Sequence, residues 1–489
     1  MAENILLYNT LLGKKEAFVP HDPKSVSVYS CGPTVYGDIH VGNARAVISQ
    51  DLLVRVLSLA GYEVNSCRNY TDVDDKIIKV ANERELDASE ITEQYIKAFD
   101  LECEKLGLVK PLVTPKVTET MDEIIIIIQE LIKSDSAYAS QTPFGQDVYF
   151  RTRSFESYGK LSKRKIDDLQ VGARVEIGEA KDDPLDFALW KAAKPGEPSW
   201  SSPWGEGRPG WHIECSAMIR KHFPERKAVD IHAGGIDLIF PHHENEIAQS
   251  EACDHHQLAR YWFHNGMLVI GKEKMSKSVG NFFTSLQFTN EFGAEVLKLM
   301  TYQHHYRSPM DFSEKSIVQA ENLLKRIYQA RMTAQGCQQE KAKSDLIPES
   351  LSSLVDHMKK ALFDDCNTAK SLGFFLGAMR LCQKHQLREF WSYWLEAFDF
   401  WNNNFALFNK ENVLEAVAQI DARKRSRLNL TEERCQHIEA SLKKRKELRD
   451  QKKFDEADSL RDELEQSGIV IMDSPNGATW TVKKSIDFS

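Results

Sequence analysis

The sequence contains no uninterrupted apolar run near the ~18 residues that a membrane span requires. Its opening, MAENILLYNTLLGKKEAF, has no basic stretch followed by an apolar one. A membrane partner is therefore not expected, and a cytoplasmic location is. Paired cysteines are also missing. The nine present (Cys31, Cys67, Cys103, Cys215, Cys253, Cys337, Cys366, Cys382 and Cys435) are scattered and odd in number, which argues against a disulfide framework. Nor is there an excess of positive charge. With 63 Lys and Arg against 72 Asp and Glu, the net charge of −9 excludes general affinity for nucleic acid. A local basic face remains possible, because Arg423, Lys424, Arg425, Arg427, Lys443, Lys444, Arg445, Lys446, Lys452 and Lys453 crowd one short stretch.

What is present is an ordinary soluble composition. Across 489 residues, 42% are apolar and 28% charged, enough for a large core and about three domains. Val26 to Ser30 reads as a buried strand that turns at Cys31-Gly32-Pro33-Thr34. Ala46, Val47, Leu52, Leu53, Val56 and Leu57 then recur at helical spacing, with Gly61 as a C-terminal cap. Strand, glycine turn and helix open a nucleotide-binding α/β fold. The alternation continues with a strand over Tyr62 to Cys67 and helices over Asp72 to Arg84, Ile91 to Leu106 and Met121 to Ser134. The last of these holds the run Ile124 to Ile128 and is predicted to be apolar nearly all round. From about Val113 to Trp204 the texture shifts to strand-like pieces, Asp147 to Phe150 and Arg174 to Ile177, and then to a loop rich in Pro, Gly, Ser and Trp. This reads as an inserted domain. The α/β pattern resumes at Asp230 to His232, Ser313 to Asn409 is helical with a polar linker near Gln335 to Ser344, and the tail ends in a strand, turn, strand signal around Pro475-Asn476-Gly477.

Two short strings carry chemistry. His40-Val41-Gly42-Asn43 falls at the start of the first helix, where backbone amides beside a glycine can approach phosphates and an imidazole can donate to developing charge. Lys274-Met275-Ser276-Lys277-Ser278 places two cations near the end of the α/β region, where they can neutralise departing phosphates. The residues also offer a half-site for a metal. Pro241 can begin a helix on which His242 and Glu246, four apart, share a face, while His243 and Glu246, three apart, form a competing pair that spacing does not separate.

The pairing of the two strings resembles class I aminoacyl-tRNA synthetases, whose signatures are His-Ile-Gly-His and Lys-Met-Ser-Lys-Ser. The second match is complete, and the first departs at Asn43. Longer strings are similar to the cysteinyl-tRNA synthetase family: Cys31-Gly32-Pro33-Thr34-Val35-Tyr36, Thr71 to Lys76, Gly210 to Met218, His232 to Leu238 and Phe240 to Glu246. The resemblance spans essentially the whole chain. It implies a Rossmann-type parallel-sheet catalytic domain over 1–112 and 205–312, interrupted by a connective domain over 113–204. A helical RNA-contacting bundle over 313–425 and a small mixed α/β anticodon-binding domain over 426–489 would follow.

The activity implied is ATP-dependent activation of L-cysteine and its transfer to tRNA(Cys). Such an enzyme must refuse serine, which packing alone separates poorly, whereas a soft metal rewards a thiolate. The resemblance accordingly implies one Zn2+ on Cys31, Cys215, His242 and Glu246, and it favours His242 over His243. It implies Thr34 and Trp211 around the amino acid, and His40, Gly42, Asn43, Gly235, Asp237 and Lys277 around ATP with its Mg2+. Catalytic roles fall to His40, Lys274 and Lys277. In the helical region Asp364-Asp365-Cys366-Asn367-Thr368 departs from the family's turn at Phe363, Cys366 and Ala369, and its role is left open. The basic tail with Trp480 would read the anticodon. A monomer is expected. Two other readings stand beside this one: a cysteine-activating ligase with an amino-sugar acceptor, and a non-catalytic tRNA-binding paralogue.

Overall fold

The computed structural model describes residues 3–166, 181–270, 273–274, 283–336, 347–385, 390–408, 412–474 and 477–482. The strand expected at Arg174 to Ile177 and most of the linker expected at Gln335 to Ser344 lie outside the described residues. The chain opens with the antiparallel pair β1 (Leu6–Asn9) and β2 (Lys14–Ala17). It then enters a parallel sheet at β3 (Ser25–Ser30), crosses over through α1 (Val41–Leu59) and returns as β4 (Glu63–Arg68). Gly61, just past α1, has φ +96°, the left-handed turn that ends many helices.

Three helices follow, α2 (Asp75–Arg84), α3 (Ala88–Lys105) and α4 (Met121–Lys133). A separate antiparallel sheet then forms from β5 (Ala137–Thr142), β6 (Gly145–Phe150), β7 (Phe187–Ala192) and β8 (Gly207–Pro209). The expectation that α4 is a core helix apolar nearly all round needs correction. Ile126 is 42% exposed while Ile124, Ile127 and Ile128 are buried, so the isoleucine run covers one face and part of the next.

After α5 (Trp211–His222) the parallel sheet resumes with β9 (Val229–Gly235), α6 (Glu244–Asp254) and β10 (Ala259–Asn265). Its order is β10-β9-β3-β4. The chain leaves β3 toward β4 on one side and comes back to β9 on the other. The crevice beyond the carboxyl ends of β3 and β9 is therefore a topological switch point, where α/β sheets bind ligands.

The strand period of two sorts the sheet into two faces. Val26 and Val28, Ile231 and Ala233, and Tyr261 and Phe263 join α1 in a core that runs on into the helical region. Tyr29 and Trp262 face the other way, toward α4, α5 and α6. By that alternation Cys31, His232 and His264 share the second face.

A short sheet of β11 (Leu268–Ile270), β12 (Glu273–Lys274) and β13 (Met310–Asp311) flanks α7 (Ser285–Glu291) and α8 (Ala294–Tyr302). The helical region comprises α9 (Glu314–Gln335), α10 (Glu349–Ser352), α11 (Leu354–Phe363), α12 (Thr368–His385), α13 (Trp391–Phe405) and α14 (Val413–Leu428). None of the described helices is long and apolar enough to cross a membrane. The tail pairs α15 (Glu432–Asp450) and α16 (Phe454–Gln466) with an antiparallel hairpin, β14 (Ile469–Ser474) and β15 (Gly477–Val482). Trp480 is 3% exposed in its core, with the Lys424 ammonium 3.8 Å above the ring, so its face is not open to a base in this conformation.

Candidate active site and metal centre

The sequence between β3 and α1 makes a cap of unusual composition. His40 is the N-cap of α1, where Ser, Thr, Asp or Asn is the common choice. Its Nδ1 accepts from the Asn43 amide at 3.1 Å, and the Asn43 side-chain oxygen accepts from the His40 amide at 3.3 Å. This reciprocal box is what Asn43 does in place of a second imidazole. Because Nδ1 accepts, a neutral ring carries its proton on Nε2. Gly42 makes the arrangement possible, since a Cβ there would stand 2.8 Å from the His40 ring.

A cavity of about 690 Å³ opens at the switch point. Its lining includes Thr34, His40, Gly42, Asn43, Trp211, Gly235 and Asp237, every one of the expected nucleotide and amino-acid contacts within the described residues. Gly235 lets the Asp237 carboxylate close in, for a Cβ at that position would lie 2.5 Å from Oδ1. Trp211 is 39% exposed and stacks on His242 with ring centroids 4.2 Å apart. Lys274 has its backbone in β12, but its side chain and all of Lys277 lie outside the described residues.

Cys31 reaches the floor of the same cavity and meets a cluster of donors. Its Sγ lies 3.9 Å from Cys215 Sγ, 3.7 Å from His242 Nε2 and 3.8 Å from Glu246 Oε1. Cys215 Sγ is 3.6 Å from His242 Nε2, which is 3.0 Å from Glu246 Oε1. A tetrahedral zinc with thiolate and imidazole ligands spaces its donors roughly 3.3–3.8 Å apart. Two sulfurs, a nitrogen and a carboxylate at these separations, buried and soft, fit a zinc ion.

A different set, Cys31, His242, His243 and Glu246, is the one whose donor atoms all lie within 4.8 Å of one another. Cys31 Sγ is in fact nearest His243 Nε2, at 3.3 Å. The geometry thus holds both histidines at the cluster and leaves the choice open. The helical start expected at Pro241 is corrected. Phe240 is extended, His242 and His243 sit in a wide turn, and the regular helix α6 begins at Glu244. The His242 to Glu246 contact forms all the same.

Electrostatics follow from burial of many ionisable groups together. A hydrogen bond from Cys31 holds the Cys215 thiol down at about 6 against burial, with His242 assisting, while burial pushes Cys31 well up. Burial works against a charged His242, but the Glu246 carboxylate and Cys215 raise it to about 10. Burial likewise opposes ionised Glu246, and the His232 and His242 rings overcome it and hold its carboxyl well below the usual range.

Sequence reasoning gave no role to His212, His232 or His264, yet all three support the cluster. His212 Nδ1 is 3.0 Å from His242 Nδ1, His232 Nε2 is 2.7 Å from Glu246 Oε2, and His264 Nε2 is 2.8 Å from His243 Nδ1. Such partners fix ring orientation and donor basicity. The alternation along β9 and β10 that puts His232 and His264 on the face of Cys31 was the available signal.

Comparisons with known proteins give the family and the fold. A family model described as tRNA synthetases class I (C) catalytic domain matches residues 17–322, and one described as Cysteinyl-tRNA ligase anticodon binding domain matches residues 435–480. A protein of Maridesulfovibrio salexigens named "Cysteine--tRNA ligase" is 44% identical, with 97% of this chain and 99% of the relative covered. One of the same name from Geobacter sulfurreducens is 44% identical, with 98% and 99% covered. Among solved structures, methionyl-tRNA synthetase of Mycobacterium tuberculosis with methionyl-adenylate shares the fold at 14% identity and a TM-score of 0.57, covering 81% of this chain and 93% of that one. The LeuRS of Agrobacterium radiobacter K84, in a ternary complex with tRNA and LeuAMS, does so at 10% identity and 0.58, covering 82% and 86%.

Proposed function

The chain belongs to the cysteinyl-tRNA ligase family of class I synthetases, and on that premise we propose that it activates L-cysteine with ATP and transfers it to tRNA(Cys). The observation that carries this reading is a buried donor cluster of Cys31, Cys215, His242, His243 and Glu246 at the cavity that His40, Gly235 and Asp237 line. Cys31, Cys215, His242 and Glu246 would hold one Zn2+. When bound, the metal supplies a Lewis-acid site that prefers a substrate thiolate to a neutral hydroxyl.

The remaining steps fall to the chain's own groups. Thr34 and the Trp211 ring enclose the small side chain and the amino group of the bound cysteine. Asp237 accepts from ribose hydroxyls, with Gly235 allowing the approach. His40 donates from Nε2 toward the α-phosphate as the carboxylate attacks, and the amides at the start of α1 share that charge. Lys274 and Lys277, with the Mg2+ that ATP brings, offset charge on the departing pyrophosphate. A terminal ribose hydroxyl of the tRNA then takes the aminoacyl group, with release of AMP. A monomer working in the cytoplasm is part of the same reading. Relatedness over 97% of the chain, with the anticodon-binding match at 435–480, favours tRNA over an amino-sugar acceptor.

The test is cysteine-dependent exchange of pyrophosphate into ATP, with serine and cysteine compared, followed by charging of tRNA(Cys). Exchange with cysteine alone and one zinc per chain support the reading. Exchange with both amino acids overturns the metal's part in selection, and tRNA binding without exchange makes the protein a binding module.

A further inference from the structure

The turn Asp364 to Thr368 has no part in the chemistry above, yet it is built at a conformational cost. Asp365 and Cys366 both have left-handed backbone, φ +65° and +50°, although neither is glycine. What that conformation achieves is a carboxylate, 1% exposed, that gathers partners from two distant parts of the chain. Asp365 Oδ1 accepts from the Tyr8 amide and the Tyr306 hydroxyl, each at 2.9 Å. Oδ2 accepts from Arg307 Nε at 3.0 Å and Nη2 at 2.6 Å, with His305 Nε2 at 3.4 Å. The Asp365 amide donates to Leu6 of β1 at 2.9 Å.

The clamped segment, His305 to Ser308, is in turn what the cavity wall leans on. The Tyr306 ring stacks on Phe263 of β10 at 4.1 Å, and its carbonyl accepts from the Gly266 amide at 2.8 Å. A Cβ on Gly266 would stand 2.5 Å from the carbonyl oxygens of both Arg307 and Ser308. The wall and the segment therefore touch backbone to backbone. Arg45, fully buried on α1, ties them together: its guanidinium donates to the carbonyls of Met267 at 2.5 Å, of Tyr306 at 3.4 Å and of Ser308. Gly266, Met267 and Leu268 line the cavity beside His40 and Asp237.

We propose that Asp365 is a positioning residue for the nucleotide, fixing the Gly266–Leu268 wall through Tyr306, Arg307 and Arg45. The proposal rests on the ligase reading for the identity of the nucleotide as ATP. The turn joins α11 to α12, so the helical region and the ATP pocket share one anchor. The donor cluster follows β3 at Cys31 and sits on α5 at Cys215, and Asp365 touches neither.

The experiment compares the full chain with its Asp365→Asn and Arg307→Lys variants in exchange kinetics. Loss of charged hydrogen bonds should raise KM for ATP about tenfold in each, with KM for cysteine within about twofold. Equal rises in both KM values, or a lowered melting temperature with unchanged kinetics, would reduce Asp365 to a structural residue and overturn the proposal. Arg307→Lys keeps the Asp365 contacts to Leu6, Tyr8 and Tyr306, so it decides the matter if Asp365→Asn does not fold. ATP affinity is read in parallel by calorimetry. A chain without exchange activity overturns the ligase reading, while the ATP affinities still decide the positioning role.

Discussion

The floor of the cavity and the C-terminal unit bury charge in opposite ways. At the floor, Cys31, Cys215, His242 and Glu246 are linked by contacts within 4 Å, with His243 against Cys31 and with His212 and His232 hydrogen-bonding His242 and Glu246. In the C-terminal unit a small apolar core of Ile438, Leu464, Ile469, Ile471 and Trp480 is closed by one buried guanidinium, Arg445, on the half-exposed carboxylate of Asp473 at 2.8 and 2.9 Å. Charge in the first place is concentrated and suited to hold a cation. In the second it is a clasp on a unit too small to rely on its core alone.

The sharpest way to break that contrast is Cys215→Ser. A hydroxyl in place of a soft ligand sulfur should lower zinc affinity and cysteine activation by more than the roughly 100-fold that an outer-shell change costs, with tRNA binding intact. Metal analysis beside exchange kinetics reads it; full activation in a zinc-free variant would end the proposed selection mechanism. Next in size is His232→Gln, which removes the 2.7 Å partner of Glu246 while leaving all four proposed ligands in place. A 10–100-fold weaker zinc affinity is expected, measured by competition with a chelator. Unchanged affinity would mean that Glu246 needs no support.

Arg445→Ala tests the other side. Asp473 is 42% exposed, so water replaces much of what it loses, and the C-terminal unit should weaken by about 1–2 kcal/mol. Hydrogen exchange would show the loosening in β14 and α15, charging of tRNA should fall, and cysteine-dependent exchange should stay level. A fall in that exchange would show that the two regions are not independent.

The two regions also differed in how much the sequence disclosed. Periodicity placed β3, α1 and the terminal hairpin, because each is a local pattern with a glycine at its end. The α/β class followed from the same alternation, the resemblance implied that its sheet is parallel, and the structure has both. The donor cluster was beyond spacing, since Cys31 lies 184 residues from Cys215 and 211 from His242 and only the crossovers of the sheet unite them. Resemblance supplied the set, yet His243 Nε2 lies nearer Cys31 Sγ than His242 Nε2 does, 3.3 against 3.7 Å. The cap at His40 was illegible for a different reason: a histidine is rarely an N-cap, and only the 3.1 Å contact to the Asn43 amide reveals it. Trp480 misled because an aromatic in a basic tail suggests an open ring, whereas the hairpin folds it under Lys424.

The smallest effect concerns the outer end of α5, the helix that carries Cys215. Five residues on, Arg220 reaches Glu130 of α4 through Nη1 at 2.5 Å and Nη2 at 3.0 Å, and Cys253 donates to the same carboxylate at 2.9 Å. The Arg220 guanidinium is the main cause that draws the Glu130 carboxyl down to about 2, with burial opposing it. A carboxylate whose folded value lies below its unfolded one adds stability above the unfolded value, about 4.5, and loses that contribution as pH falls toward 2. Because Glu130 is 39% exposed, solvent screening keeps the contribution under about 1 kcal/mol. Glu130→Gln should therefore lower the melting temperature slightly at pH 7, and the gap to the unaltered chain should close between about pH 4.5 and pH 2, a range reached in acid-unfolding curves. If the gap were instead constant with pH, the pair would act on α5 through shape alone, and the charge that latches this helix from outside would have no part in holding Cys215 at the floor.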